Sequence, residues 1–167
     1  MSQGKRYLEL AARAGGNSRE LDASYRAAFY LLSYDPELKK EAERFVSYEG
    51  INFAAMKRAT RGFDETSRQI IDIAHNLFSW TSNCKVTPFD ISRLGYPHTQ
   101  QVCDAFYIAF EQIKLVFEFD ENNQIKMTLD ASPYQRTQRI HRNLEQMQEE
   151  MLAGFEKLPS ENDELER

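Results

Sequence analysis

Cysteine, histidine and aspartate side chains are the residues of this 167-residue chain that could do chemistry. Nucleophilic catalysis needs a thiol or hydroxyl beside a general base. Cys84 falls in a predicted loop and Cys103 on a predicted helix, and His98 precedes Cys103 at a spacing that suits different helical faces. The pattern favours two small thiols without a catalytic role. An enzyme with a composite site around Asp72, His75 and Cys84 stays open as an alternative.

Asp72 and His75 are also the one hint of a metal site. They lie three residues apart, so a helix places both on one face. Carboxylate-bridged di-iron bundles use an acid and a histidine at this spacing, but they use the pair twice and add further carboxylates. The sequence has no second copy of the pair. We therefore expect a solvated pair on a helix surface, with no metal and no other cofactor.

The last predicted helix carries its charges in an unusual order. Its first half contains Arg136, Arg139, His141 and Arg142, whereas its second half is acidic, with Glu145, Glu149, Glu150 and Glu156. This order opposes the helix macrodipole, at a cost of about a few tenths of a kcal/mol per charge. Two explanations stay open: the arginines face the acidic middle of the same chain, or they contact an acidic protein or a phosphate.

The same helix has a narrow apolar seam. Ile140, Leu144, Met147 and Met151 repeat at spacings of four, three and four, which is a heptad pattern. Such a seam either belongs to the protein core or docks a partner helix or a second copy of the chain. We predict that it binds a protein partner or forms a homodimer, through Arg136, Arg139, His141, Arg142, Leu144, Met147 and Met151.

A second basic group consists of Lys57, Arg58 and Arg61. Phe53 and Phe63 are close in sequence, and basic residues interleaved with aromatic ones can stack on nucleic acid. A basic run beside aromatic residues is more often an ordinary helix face next to its core. A localised nucleic-acid contact is therefore the less favoured interpretation of this possible basic patch.

The overall charge is acidic but unevenly distributed. The chain has 21 basic and 26 acidic side chains, for a net charge of -5. The net charge is +3 over residues 1–62, -5 over 63–130 and -3 over 131–167. This balance argues against a protein that coats nucleic acid non-specifically. Neither a signal-peptide pattern nor a membrane span is recognisable, so we expect a cytoplasmic protein with free thiols at Cys84 and Cys103.

Helix signals dominate the elements that must position these residues. The apolar periodicity predicts a mainly α fold, a single-domain bundle of about six to seven helices over residues 1–158. Asp35, Asp64 and Thr87 are predicted N-caps, because each precedes a helical pattern and two are followed by proline. A long helix is predicted over residues 132–157, and residues 159–167 form an acidic, frayed tail.

One segment breaks the helical period. Residues 115–129 alternate between apolar and polar side chains on both sides of a polar turn, which predicts one small antiparallel β-hairpin. The register that keeps the apolar side chains on one face sets Phe117 opposite Met127 and Glu118 opposite Lys126. A two-stranded sheet is marginal alone, so we expect its apolar face to pack on the helices.

The segment TSRQIIDIAHNLF at residues 66–78 resembles the central motif of a family of short, uncharacterised bacterial proteins. The family pattern is Ser-Arg, then apolar helix positions, then Ala-x-Asn-Leu-aromatic. Residues 22–32 and 87–110 are similar to the family's early and later helices, so the match covers about residues 20–112. Members occur in Gram-positive genomes, phages and conjugative elements. The resemblance implies a small helical accessory protein, without implying a reaction, cofactor or substrate.

Besides an enzyme with a composite site, three functional hypotheses follow from these patterns. The favoured one is a non-enzymatic interaction or regulatory module that binds through its C-terminal helix. The first alternative is an acidic inhibitor of a nucleic-acid machine, encoded by a mobile element, whose acidic regions occupy a basic channel. The second alternative is a localised nucleic-acid binder that uses the two basic groups.

Overall fold

The computed structural model of the chain describes residues 1–16 and 20–156. The chain divides into two compact units, Met1–Ala131 and Ser132–Arg167. A single domain over residues 1–158 stays a prediction. The predicted acidic tail at 159–167 lies outside the described residues.

Seven α-helices and four short strands form the described part of the first unit. In chain order they are α1 (Gln3–Arg13), α2 (Ala23–Leu32), α3 (Pro36–Ala42), β1 (Val46–Ser47), β2 (Gly50–Ile51), α4 (Phe53–Ala59), α5 (Glu65–Phe78), α6 (Pro88–Arg93), α7 (His98–Ala109), β3 (Lys114–Phe119) and β4 (Ile125–Asp130). A single 3₁₀ turn, Glu43–Phe45, connects α3 to β1.

Side-chain caps fix where several of these helices begin. Asp35, Asp64 and Thr87 each accept a hydrogen bond from a backbone N–H in the first turn of the next helix, as predicted. Asp22 and Asn52 do the same for α2 and α4. Each cap satisfies amide groups that would otherwise lack a partner at a helix start. Individually capped short helices explain why the described residues contain more helices than predicted.

The core of the first unit is built around α2. All six residues from Ala27 to Leu32 are buried, so this helix is covered on every side. It packs against α1, α5 and α7. The most deeply buried side chains include one from each of α2, α5 and α7, namely Phe29, Ile71 and Val102. The core therefore holds α5, which carries Asp72 and His75, in a fixed position.

The hairpin of β3 and β4 has the predicted antiparallel register. Phe117 pairs with Met127 and Glu118 with Lys126. The apolar face packs on the helices, with the rings of Phe117 and Tyr7 5.2 Å apart. Gly4 of α1 lies so close to β4 that a Cβ atom there would be 3.1 Å from the Met127 backbone nitrogen. The predicted packing of the hairpin is confirmed.

A buried arginine joins the start of α1 to the end of α2. Arg6 is 8% exposed, and its guanidinium donates to the carbonyl oxygens of Ser33 (2.6 Å), Met1 and Tyr34. These carbonyls include groups just beyond the last turn of α2, where helix carbonyls lack internal partners. A planar fork with five donors is suited to satisfying several acceptors at once.

The second unit consists, in its described part, of one helix, α8 (Ser132–Glu156). The mainly helical class, the small hairpin and the long C-terminal helix are therefore confirmed. Eight α-helices are described rather than six or seven, and the β1–β2 pair is an addition that was not predicted. No helix within the described ranges combines the length and the apolar character needed to cross a membrane.

Candidate functional site

Asp72 of α5 is the centre of a polar cluster that connects three segments of the first unit. One carboxylate oxygen accepts a hydrogen bond from Lys57 Nζ of α4, and the other accepts one from the Lys85 backbone N–H at 2.8 Å. The Cys84 thiol also donates to this carboxylate. Burial opposes the charged form, but these hydrogen bonds and the Lys57 charge outweigh it and lower the pKa of Asp72. The cluster ties the loop after α5 to α4 and α5.

Asp72, His75 and Cys84 therefore lie in one region of the fold. Burial, followed by the negative charge of Asp72, raises the pKa of the Cys84 thiol. Burial, followed by the positive charge of Lys57, lowers the pKa of His75. A thiol with a raised pKa is a poorer nucleophile at neutral pH. The arrangement favours a protonated thiol that serves as a hydrogen-bond donor.

The expectation of a solvated Asp72–His75 pair on a helix surface is wrong. The side chain of Asp72 is 18% exposed and engaged with Lys57. The His75 ring stacks on the buried Phe53, with ring centroids 4.6 Å apart, and its Nδ1 is buried without a hydrogen-bond partner in the described part of the chain. Phe53 of α4 therefore packs against the imidazole of His75, and the spacing of residues within α5 gives no indication of this contact. Across residues 1–16 and 20–156, no group of three His, Cys, Asp and Glu side chains is arranged to hold a metal ion.

The other two residues considered for catalysis lie elsewhere, on α7. His98 Nδ1 is 3.1 Å from the Gln101 side-chain oxygen, and Cys103 is a half-buried free cysteine. Gln101 itself is buried. The geometry gives His98 a local hydrogen-bond partner on its own helix.

The basic patch Lys57, Arg58 and Arg61 is divided by the fold. Lys57 and Arg61 line a pocket of about 700 Å³ between α4, α5 and the loop after α5, whereas Arg58 is exposed and does not line it. Arg68 of α5 and Lys85 of the loop also line this pocket. Neither was identified from the sequence as part of a basic group, because Arg68 lies beyond the turn that separates α4 from α5 and Lys85 lies in the loop after α5. No local spacing signal could have grouped them.

Helix α8 carries the predicted partner-binding residues on its surface. The seam side chains Ile140, Leu144, Met147 and Met151 are 54%, 51%, 60% and 61% exposed. The charged predicted residues, which are Arg136, Arg139, His141 and Arg142, are exposed as well. Within α8, no described carboxylate forms an ion pair with these arginines. The described helix therefore presents an apolar seam and two oppositely charged halves.

Comparisons of the chain with protein-family models, curated proteins and solved structures found no match. The resemblance of residues 20–112 to a bacterial family stays a prediction, as does an origin on a mobile element.

Proposed function

We propose that the protein is a non-enzymatic interaction module that self-associates through α8, with the α8 helices of two copies packed antiparallel. The observation that supports this proposal is the exposed seam of Ile140, Leu144, Met147 and Met151. A single helix cannot bury its own apolar stripe, so such a stripe needs an opposing surface. We expect the module to act in the cytoplasm.

The spacing of the seam suits a two-fold symmetric pair of helices. Its four residues are arranged symmetrically about a point between Glu145 and Gln146. An antiparallel partner centred there sets Ile140 opposite the second copy's Met151, and Leu144 opposite its Met147. Symmetric dimers use the same surface on both subunits, and this self-complementary spacing meets that requirement.

The charge order of α8 favours the antiparallel arrangement over the parallel one. Antiparallel packing brings the half containing Arg136, Arg139 and Arg142 beside the half containing Glu145, Glu149 and Glu150. Parallel packing would bring like charges together, which is unfavourable. These side chains are exposed, so each pair contributes little to affinity, and their main effect is on orientation. The same pairing offsets the unfavourable interaction of these charges with the helix dipole.

The apolar burial supports a reversible dimer rather than a permanent one. Each seam side chain is a little over half exposed, so burial against a partner contributes about 1 kcal/mol. Two copies together supply about 8 kcal/mol, against an association cost of about 4–15 kcal/mol. Leu152 and Phe155, each 65% exposed, add apolar area at the end of the helix. The surplus over the association cost is therefore small, and we expect a weak dimer with a dissociation constant of about 0.1–1 mM.

Sedimentation equilibrium of the full chain over a range of concentrations tests this proposal. The wild type should shift from monomer to dimer, and Leu144→Lys should weaken the dimer about tenfold or more because it buries an unpaired charge. Gln138→Lys is the matched control, since it adds the same charge to an exposed position of α8 away from the seam. A monomer at every concentration, or an equal effect of both variants, would contradict the proposal.

A monomer at every concentration would indicate that the seam is covered within the chain or by a different protein. Circular dichroism of Leu144→Lys separates loss of pairing from loss of folding, because the first unit supplies most of the helical signal. A variant that is folded but monomeric supports the proposal.

A further inference from the structure

The 700 Å³ pocket beside α5 has the features of a site for an anionic ligand. Its lining includes the cations Lys57, Arg61, Arg68 and Lys85, contributed by α4, the turn after it, α5 and the loop after α5. These four lie in a chain whose net charge is -5. A concentration of basic side chains in one concave region of an acidic protein points to a ligand of opposite charge.

Three of the four cations have no ion-pair partner among the residues that the structure describes. Lys57 is paired with Asp72, so its charge is already compensated. Among the residues that the structure describes, no ion pair involves the side chains of Arg61, Arg68 or Lys85. All three are exposed, which leaves them able to turn toward a bound group. Two guanidinium forks and one ammonium group form a donor set that is typical of sites for phosphate groups.

The remaining lining favours a small molecule over a polymer. The floor is apolar where Ile71 and Val86 contribute, and the volume lies within the range of about 300–1,000 Å³ that is usual for small-molecule sites. Glu65, Asp72 and Asp90 also line the pocket, so three carboxylates accompany its four cations, and this balance suits one phosphate group better than an extended chain of phosphates.

We propose that Arg61, Arg68 and Lys85 bind the phosphate group of a phosphorylated small molecule in this pocket. Lys57 and Asp72 hold α4, α5 and the loop together, so that the three cations face one region. Gln69 and Asn83 line the same pocket and supply amide groups for the rest of the ligand. This inference does not depend on the self-association of α8, because the pocket lies wholly in the first unit.

Isothermal titration calorimetry of the full chain with four probes tests the proposal. The probes are inorganic phosphate, adenosine monophosphate, adenosine and a short single-stranded oligothymidylate. We expect saturable one-to-one binding of a phosphate-bearing small molecule at low ionic strength. Tighter binding of adenosine monophosphate than of inorganic phosphate supports a phosphate ester as the ligand, whereas equal binding of the two would overturn the proposal.

Substitutions then locate the site. Arg61→Gln and Arg68→Gln should each weaken binding about tenfold or more, because each removes charge-assisted hydrogen bonds to the phosphate. Arg58→Gln is the matched control, since Arg58 is an exposed neighbour that does not line the pocket. Binding by this variant should equal that of the wild type.

Four further results would overturn the proposal. They are no binding of either phosphate probe at about 10 mM, binding of adenosine equal to that of its monophosphate, binding of the oligonucleotide alone, and an equal loss in Arg58→Gln. Backbone amide shifts of Asn83 and Lys85 in a ¹H–¹⁵N titration give a second measurement. If the pocket variants prove to be unfolded, the amide shifts of the wild type on addition of phosphate decide whether the ligand binds in this pocket.

Discussion

Replacing Asp72 by asparagine tests the polar cluster of the first unit most sharply. The amide keeps the size of the carboxylate and can still accept from the Lys85 N–H, but it cannot pair with the Lys57 ammonium. The Cys84 thiol also loses a charged acceptor. The change therefore removes the charge while leaving the shape and one hydrogen bond in place.

The expected magnitude follows from the geometry. A hydrogen bond to a charged group contributes about 1.5–3 kcal/mol. The Lys57 side chain is 32% exposed and that of Asp72 18%, so solvent screens part of this interaction. We expect Asp72→Asn to lower the free energy of unfolding by about 1–2 kcal/mol, which corresponds to a fall in Tm of about 3–6 °C.

The same variant has a defined pH dependence. Because the folded pKa of Asp72 lies below its ordinary value of 3.8, the carboxylate stabilises the folded state above that value. This contribution is lost as the pH falls through the lower, folded pKa. The difference in the free energy of unfolding between wild type and Asp72→Asn should therefore be largest at neutral pH and should become smaller below about pH 4.

Urea unfolding followed by circular dichroism measures both effects. Glu121→Gln is the control, because it removes a negative charge from an exposed hairpin position. A double-mutant cycle with Lys57→Met should give a favourable coupling energy of about 1 kcal/mol. No coupling, or a difference that stays constant between neutral pH and about pH 3, would refute the argument that the charge of Asp72 stabilises this cluster.

Two further predictions concern the same unit. Arg6→Lys should lower the free energy of unfolding by about 2–3 kcal/mol, because an ammonium group cannot reach all three carbonyls that Arg6 satisfies. Urea unfolding measures this effect, with Arg13→Lys on the same helix as the control. Equal effects of the two substitutions would contradict the role of Arg6. Asp72→Asn should accelerate alkylation of Cys84 by iodoacetamide at mildly alkaline pH, since the carboxylate raises the pKa of the thiol. Measured in a Cys103→Ser background, an unchanged rate would show that burial alone sets the reactivity.

The hairpin shows what the sequence can predict well. Alternation with period two leaves one register in which the apolar side chains share a face, and a shift by one residue would expose Phe117 and Met127. Helix starts were predictable for a similar reason, since caps such as Asp64 and Thr87 act within three residues. The β1–β2 pair was missed because strands of two residues show no periodicity.

The candidate sites depend on contacts that are distant in sequence. Arg61, Arg68 and Lys85 share a pocket only because α4, α5 and the following loop meet there. Cys84 reaches Asp72 because the loop after α5 turns back along its own helix. A loop that folds back onto an earlier helix leaves no recognisable pattern in the local sequence. The seam of α8 was predictable as a pattern, but the same spacing serves a core or an interface equally well.

The distance between spin labels on α8 of two copies tests the central claim most directly. In a chain with both cysteines replaced by serine, a label at Gln146 lies near the proposed two-fold axis, whereas a label at Gln138 lies 7.5 residues from it. From a rise of 1.5 Å per residue, antiparallel packing separates the two Gln138 positions by about 22 Å along the helix axis but the two Gln146 positions by only about 1.5 Å, so the Gln138 labels should lie clearly farther apart. Equal distances at both positions would indicate parallel helices, and no dipolar coupling at concentrations of about 1 mM would show that α8 does not pair with a second copy.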